Sequence, residues 1–206
     1  MATAERVLSY ARAELGKTES PAGSNRTPYG KWYGLDGQPW CMMFVQWVFV
    51  QAGMPLPCRT ASCSALLNWY RKNRPASIVK TPAAGDVVIY NFGHTGIVES
   101  VGNGSITAIE GNTSVSGSQS NGGEVCRKTR KLCTAEAFIR PEYAKEDPKV
   151  DNKPSPAHQK GVQWARQNGI LNGNADGDLM LTKPVTRQQL CTILYNYHRK
   201  FGKEGR

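Results

Sequence analysis

The chain has 206 residues with a net charge of +10; 39% of residues are hydrophobic and 20% charged. That composition supports a packed core and excludes global disorder. The longest apolar run, residues 44–50, is broken by Gln46 and far shorter than the ~20 residues a membrane helix needs, so no membrane insertion is expected.

The excess charge is spread evenly. Residues 1–144 carry 15 basic and 10 acidic groups, and residues 145–206 carry 11 and 6. The one local cluster is Arg127-Lys128-Thr129-Arg130-Lys131. No arm or helix gathers the charge into a stripe, so nucleic acid is not expected as a partner, although any polyanion attracts such a chain. The N-terminal residues lack the charged-then-apolar layout of a secretory leader, which points to synthesis in the cytoplasm. Six cysteines stand at 41, 58, 63, 126, 133 and 191, without a C-x-x-C pair or a histidine at zinc-finger spacing. Reduced thiols are the default, with the pairs Cys58/Cys63 and Cys126/Cys133 left open.

In chain order, Ala4, Val7, Leu8, Ala11 and Leu15 recur at helical spacing until Gly16. A polar, glycine-rich loop is expected over residues 20–39. Residues 41–52 form a second helical pattern, with Phe44, Val45, Val48 and Phe49 on one face, and residues 61–72 a third. Beyond Pro82 the texture turns to strands: 86–92, then 94–101 and 105–110 around a three-residue hairpin loop, Gly102-Asn103-Gly104. A Ser/Gly/Asn loop at 114–123 precedes short strands near 124–128 and 137–140. Helices followed by an antiparallel sheet predict an α+β fold. Residues 144–157, with three prolines and six charged residues, read as a linker. Two helical patterns follow in residues 158–206, too small a piece for an independent core; it should dock on the first domain or pair with copies of itself.

Cys41 follows Gly37-Gln38-Pro39-Trp40 and opens an apolar helix. A helix N-terminus favours the thiolate and offers backbone N–H groups to an oxyanion. The same residue also reads as a buried, inert thiol. His94 is the one histidine outside the linker and tail, and it opens a strand. A base beside a nucleophile at a helix start is the arrangement of papain-like cysteine hydrolases; a surface histidine is the competing reading. With a three-residue hairpin loop and Val101 opposite Ser105, His94 faces Asn112, and Glu110 is its diagonal neighbour on the same face. Either side chain would orient the imidazole, and a one-residue slip would remove both.

Together, Pro39-Trp40-Cys41, Phe44-Val45 with Trp47, Gly85-Asp86-Val87-Val88, His94-Thr95-Gly96-Ile97-Val98 and Ile109-Glu110-Gly111-Asn112 resemble the CHAP family of cysteine, histidine-dependent amidohydrolases and peptidases. The resemblance spans residues 1–143. It implies a papain-like fold and cleavage of an amide in peptidoglycan, either as an N-acetylmuramoyl-L-alanine amidase or as a cross-bridge endopeptidase. It also implies the bacteriolytic role of a phage endolysin of a Gram-positive host, released from the cytoplasm to act on the cell wall. Carried over by position, Cys41 is the nucleophile, His94 the base and later the acid, Glu110 its orienting partner and Asn112 an assisting group. Gln38, Trp40 and Trp32 are candidates for substrate contact, with packing in the core the competing reading for the two tryptophans.

Some family members bind calcium through an Asp-rich loop. The matching loop here offers only Glu19 and Asp36, so neither metal nor cofactor is expected. The tail, through Gly161-Val162, Trp164-Ala165, Asn168-Gly169-Ile170, Gly173–Gly177, Val185-Thr186-Arg187 and Leu190–Tyr195, is similar to one S-layer homology repeat. That implies binding of an anionic secondary wall polymer, with Trp164 and Arg187 as candidates. Thr186 also reads simply as a helix cap. A monomer is expected, and the alternative function is a non-catalytic wall-binding protein on a CHAP-like fold.

Overall fold

The computed structural model describes residues 2–144, 152–175 and 177–202. Residues 145–151 of the predicted linker and Asp176 lie outside the described residues. The chain divides into two compact units, residues 1–145 and 146–206.

The first unit begins with four helices. Helix α1 (Ala4–Ala13) is capped by Thr3, whose side chain accepts the Arg6 N–H, and buries Val7, Leu8 and Ala11. Helix α2 (Pro28–Tyr33) lies where the sequence suggests only loop. Thr27 caps it, Pro28 opens it, and Gly34 closes it at φ 93°, a start and stop that the surrounding glycines conceal. Helix α3 (Cys41–Gln51) is not amphipathic as expected. Met42, Met43, Gln46 and the four predicted core residues are all buried, because α1, α2 and the sheet enclose it. Gln46 meets the cost of burial by donating to the Cys58 and Thr60 carbonyls. Helix α4 (Cys63–Asn73) starts after Ser62, whose hydroxyl accepts the Ala65 N–H.

Six strands follow: β1 (Ile78–Val79), β2 (Val87–Tyr90), β3 (His94–Gly102), β4 (Ser105–Thr113), β5 (Glu124–Lys131) and β6 (Ala135–Ile139). They form one sheet in the order β1-β6-β2-β3-β4-β5, antiparallel at each step. The helices-then-sheet order is the α+β class that the sequence predicts. Both faces of the sheet are packed. Val87, Ile89, Ile97, Ile109 and Val125 join the helical core, while Val88, Tyr90, Val98, Ile106 and Ala108 form a second cluster on the other face. Burial on both faces explains why β2 reads as an unbroken apolar run. Asp86, buried just before β2, accepts a two-pronged hydrogen bond from Arg140 (Nε–Oδ1 2.9 Å, Nη2–Oδ2 2.8 Å) and the Ala83 N–H.

The hairpin between β3 and β4 corrects the expected loop. Gly102 pairs with Ser105, so the loop has two residues, not three. A bulge at Glu99 then shifts the register by one, and Val98 pairs with Ala108 and Ile97 with Ile109. Beyond the bulge the alignment is the one a three-residue loop would have produced.

The second unit holds α5 (Gln159–Gln167) and α6 (Arg187–Phe201). Trp164 stacks on Phe201 at 5.4 Å, and among the unit's described residues Ile170 and Leu179 are the buried hydrophobic ones. Thr186 and Gln189 form a reciprocal capping box at the start of α6. Leu190, Leu194 and Tyr197 remain exposed.

Candidate active site

Three elements meet at the site. Helix α3 brings Cys41 as its first residue, β3 brings His94 as its first residue, and β4 brings Glu110. Alternation along the strands sets His94, Gly96 and Glu110 on the same face as Tyr90 and Val98. His94 and Glu110 are fully buried, and Cys41 is 7% exposed.

The imidazole and carboxylate are hydrogen-bonded, His94 Nε2 to Glu110 Oε2 at 3.0 Å. Three groups converge on that carboxylate. Arg130 donates through Nε to Oε1 (2.8 Å) and through Nη2 to Oε2 (2.6 Å), and the Tyr90 hydroxyl donates to Oε1 (2.7 Å). Arg130 is itself held by Gln119, through the side-chain oxygen at 3.0 Å and the carbonyl at 3.1 Å. The His94 ring lies nearly parallel to those of Tyr90 and Phe92, each 6.0 Å away, and Phe92 is the partly exposed member of the stack.

Two glycines permit this approach. A Cβ on Gly96 would lie 2.6 Å from Glu110 Cγ, and one on Gly111 would lie 2.7 Å from Phe44 and Trp40. The first leaves room for the carboxylate, and the second lets β4 run against α3.

The electrostatics favour a charged pair. The Cys63 thiol, 4.0 Å from Cys41 Sγ, is the strongest influence on Cys41; burial opposes it and His94 reinforces it. The outcome is a Cys41 thiol held well below the ordinary thiol range, while the same contact and burial push Cys63 up. With Cys41 as the thiolate, Cys63 is the donor of that hydrogen bond. Burial acts to lower the His94 pKa, but the Cys41 and Glu110 interactions outweigh it and push it up to about 9. Burial likewise acts to raise Glu110, and its hydrogen bonds from Arg130 and His94 outweigh it, so the carboxylate is held below its ordinary value. Both shifts favour a thiolate–imidazolium pair over the neutral one. Nδ1 of His94 is buried without a hydrogen-bond partner among the described residues, which leaves it for the thiol side, since Nε2 is engaged by Glu110.

Helix α3 has no side-chain cap. Trp40 occupies the cap position without hydrogen-bonding the first turn, and the Met42 N–H is directed at the Cys41 sulfur. The free donors of the first turn thus lie beside the thiol.

This part of the chain matches a known family. Residues 32–112 match the model of the CHAP domain family. The chain also resembles a solved wild-type endolysin, LysIME-EF1, at 19% identity and a TM-score of 0.47, over 85% of this chain and 89% of that one. No match is found among curated proteins.

Within the matched segment, the structure joins Cys41, His94 and Glu110 into one constellation. Asn112 does not reach the imidazole. It sits at φ 58° in a break of the β4–β5 ladder, its amide donates to the Ser120 carbonyl at 3.4 Å, and its Oδ1 is buried unpartnered. Trp40 is a correction: fully buried and stacked 5.3 Å from Tyr29, it is a core residue and cannot line a groove. Trp32 is half-buried, edge-on to Tyr33, with the Arg59 guanidinium 5.8 Å from its ring. Gln38 is exposed, three residues before Cys41. Glu19 accepts the Gly23 and Asn25 N–H groups, and Asp36 accepts that of Thr27, so both acids brace their own loop. In the second unit Trp164 is 45% exposed, and Arg187 is the exposed first residue of α6.

Sequence reasoning missed Arg130, Tyr90 and Cys63. Arg130 sat within an apparent charge cluster whose members have separate tasks. Arg127 pairs with Glu99, Lys128 donates to the Ser114 and Val115 carbonyls, and Arg130 clamps Glu110. Strand alternation of the cluster was the available signal.

Proposed function

We propose that the protein is a peptidoglycan hydrolase that cleaves an amide through Cys41, either an N-acetylmuramoyl-L-alanine amidase or a cross-bridge endopeptidase. The observation that carries this reading is the thiol at an uncapped helix start, paired with a buried histidine whose far nitrogen is fixed by a carboxylate. The Cys41 thiolate attacks the amide carbonyl. The N–H groups of the first turn of α3 hold the resulting oxyanion. The His94 imidazolium gives its proton to the leaving amine, and a thioester remains on Cys41. Neutral His94 then takes a proton from water, which attacks the thioester and frees the sulfur. Glu110 keeps the ring oriented and its charge favourable throughout, and Arg130 keeps Glu110 in place.

The endolysin role, with action on the wall outside the membrane, belongs to the same proposal. The match to a cysteine- and histidine-dependent domain supports it, as does the net charge of +10, which draws the chain to an anionic wall. No helix of the described residues is long and apolar enough to cross a membrane. We further propose that the tail holds an anionic wall polymer, with exposed Trp164 and Arg187 as its contacts.

The test is digestion of purified Gram-positive peptidoglycan by the native chain and Cys41→Ala, with fragments identified by mass spectrometry. The native chain should clear the wall and the variant should not, and the new termini distinguish amidase from endopeptidase. Equal clearing by both would refute the thiol mechanism. Pelleting of Cys41→Ala with walls, with and without Trp164→Ala and Arg187→Ala, tests the tail: unchanged pelleting refutes those contacts.

A further inference from the structure

Cys63 is a buried thiol beside the site that the proposed cleavage does not consume. It is the first residue of α4, as Cys41 is the first residue of α3, so two helix N-termini carry a thiol each to one point. The sulfurs are 4.0 Å apart, both residues are more than nine-tenths buried, and both are free thiols. A disulfide needs about 2.05 Å, so the sulfurs must approach by about 2 Å. At helix starts, side-chain torsion and a small shift of either helix end serve that approach.

We propose that Cys41 and Cys63 form a reversible disulfide on exposure to hydrogen peroxide, with Cys63 as the resolving thiol that protects Cys41 from irreversible oxidation. The Cys41 thiolate attacks one peroxide oxygen. The O–O bond breaks, hydroxide leaves and is protonated to water, and Cys41 becomes a sulfenic acid. The Cys63 sulfur then attacks the Cys41 sulfur, the S–O bond breaks, and the hydroxyl departs as a second water with the Cys63 proton. In sum, two thiols lose two electrons and two protons, and one peroxide becomes two waters. A dithiol reductant reverses the bond by exchange.

The geometry explains why Cys63 is the partner. Its sulfur is already in hydrogen-bond contact with the Cys41 sulfur, so the resolving atom is in place before oxidation occurs. Its raised pKa keeps it a thiol while Cys41 reacts first. The thiolate at the start of α3 is the more reactive of the two, which sets the order of steps.

The cross-link can be read without any wall substrate. Its functional consequence, loss and recovery of lysis, rests on the proposed function. The full-length chain is treated with hydrogen peroxide, free thiols are blocked by alkylation, and a non-reducing digest is mapped by mass spectrometry. The expected product is a Cys41–Cys63 linked peptide pair that dithiothreitol removes, with lysis falling to background and returning in parallel. In Cys63→Ser, the expected product is Cys41 sulfinic acid, with loss of lysis that dithiothreitol does not restore. The proposal is overturned if the native chain gives sulfinic acid at Cys41 with Cys63 still alkylated. It is equally overturned if Cys63 links to Cys58, or if inactivation is as irreversible in the native chain as in the variant. If the linked pair forms but the native chain never lyses walls, the proposed function fails and the disulfide stands. If Cys63→Ser does not fold, the peptide map of the native chain decides alone.

Discussion

Replacing Glu110 by Gln removes a charge while leaving an oxygen for His94 Nε2, so the ring keeps its orientation and loses its electrostatic support. Two opposite charges 3.0 Å apart, in an effective dielectric of about 20, interact by about 5 kcal/mol, or about 4 pKa units, which is a ceiling. Arg130 neutralises much of that field, because two of its nitrogens lie 2.6 and 2.8 Å from the same carboxylate. A net value of about 1.5–3 kcal/mol for a charge-assisted hydrogen bond is the better guide, and it corresponds to about 1–2 units. The sign is fixed: Glu110 favours the imidazolium, so its loss lowers the His94 pKa from about 9 toward about 7–8. In the proposed mechanism the alkaline limb of kcat/KM reports loss of the imidazolium proton. That limb should therefore move to lower pH by the same amount. The assay is the initial rate of wall clearance at limiting substrate across the neutral and alkaline range at constant ionic strength, with iodoacetamide alkylation of Cys41 as a substrate-free readout of the thiolate. Gln119 continues to hold Arg130, so the guanidinium is not left wholly unpaired and a folded variant is expected. An unmoved alkaline limb would refute the coupling between Glu110 and His94.

Gly96→Ala should displace Glu110, because the added Cβ would sit 2.6 Å from its Cγ and 3.0 Å from the Ile109 carbonyl. A displacement near 1 Å predicts about a 100-fold fall in kcat/KM with secondary structure retained by circular dichroism, and native activity would contradict it. Arg140→Ala leaves the buried Asp86 carboxylate with the Ala83 N–H; because the Arg140 side chain is 40% exposed, the cost should be about 2–3 kcal/mol rather than that of a fully buried pair. Thermal denaturation should show a Tm lower by about 5–10 °C with the pH profile of lysis unchanged; an unchanged Tm would count against that ion pair.

What was legible in the sequence was local. Apolar spacing placed α1, α3 and α4 within two residues or so. Helix α2 escaped because its Thr27-Pro28 start and Gly34 stop are embedded among other glycines and prolines. The amphipathic reading of α3 failed for a non-local reason: a helix packed over most of its surface needs little polar face, and what encloses it is set by the sheet and by α1 and α2. Trp40 and Trp32 illustrate the same limit. Neighbours in sequence to Cys41 and to Tyr33, they differ in that one is sealed under β4 at Gly111 and the other is half-exposed. Cys63 lies 22 residues from Cys41, and nothing in either segment alone announces that the two helix starts converge.

The contact between His94 and Glu110 depends on register, and here the sequence argument reached the right neighbours through a wrong loop. The turn is one residue shorter than expected, which by itself would place His94 and Glu110 on opposite faces. The bulge at Glu99 inserts one residue into β3 and restores the alignment before the strand reaches the site. Glu99 is not a passive insertion, since it accepts hydrogen bonds from Arg12 of α1 and Arg127 of β5 at 2.7 and 2.6 Å. Those two arginines tie the bulged residue's carboxylate to the helical layer and, across β4, to strand β5. Glu99 thereby stabilises the alignment that lets Gly96 face Glu110, and with it the closeness of base and carboxylate on which the proposed chemistry rests.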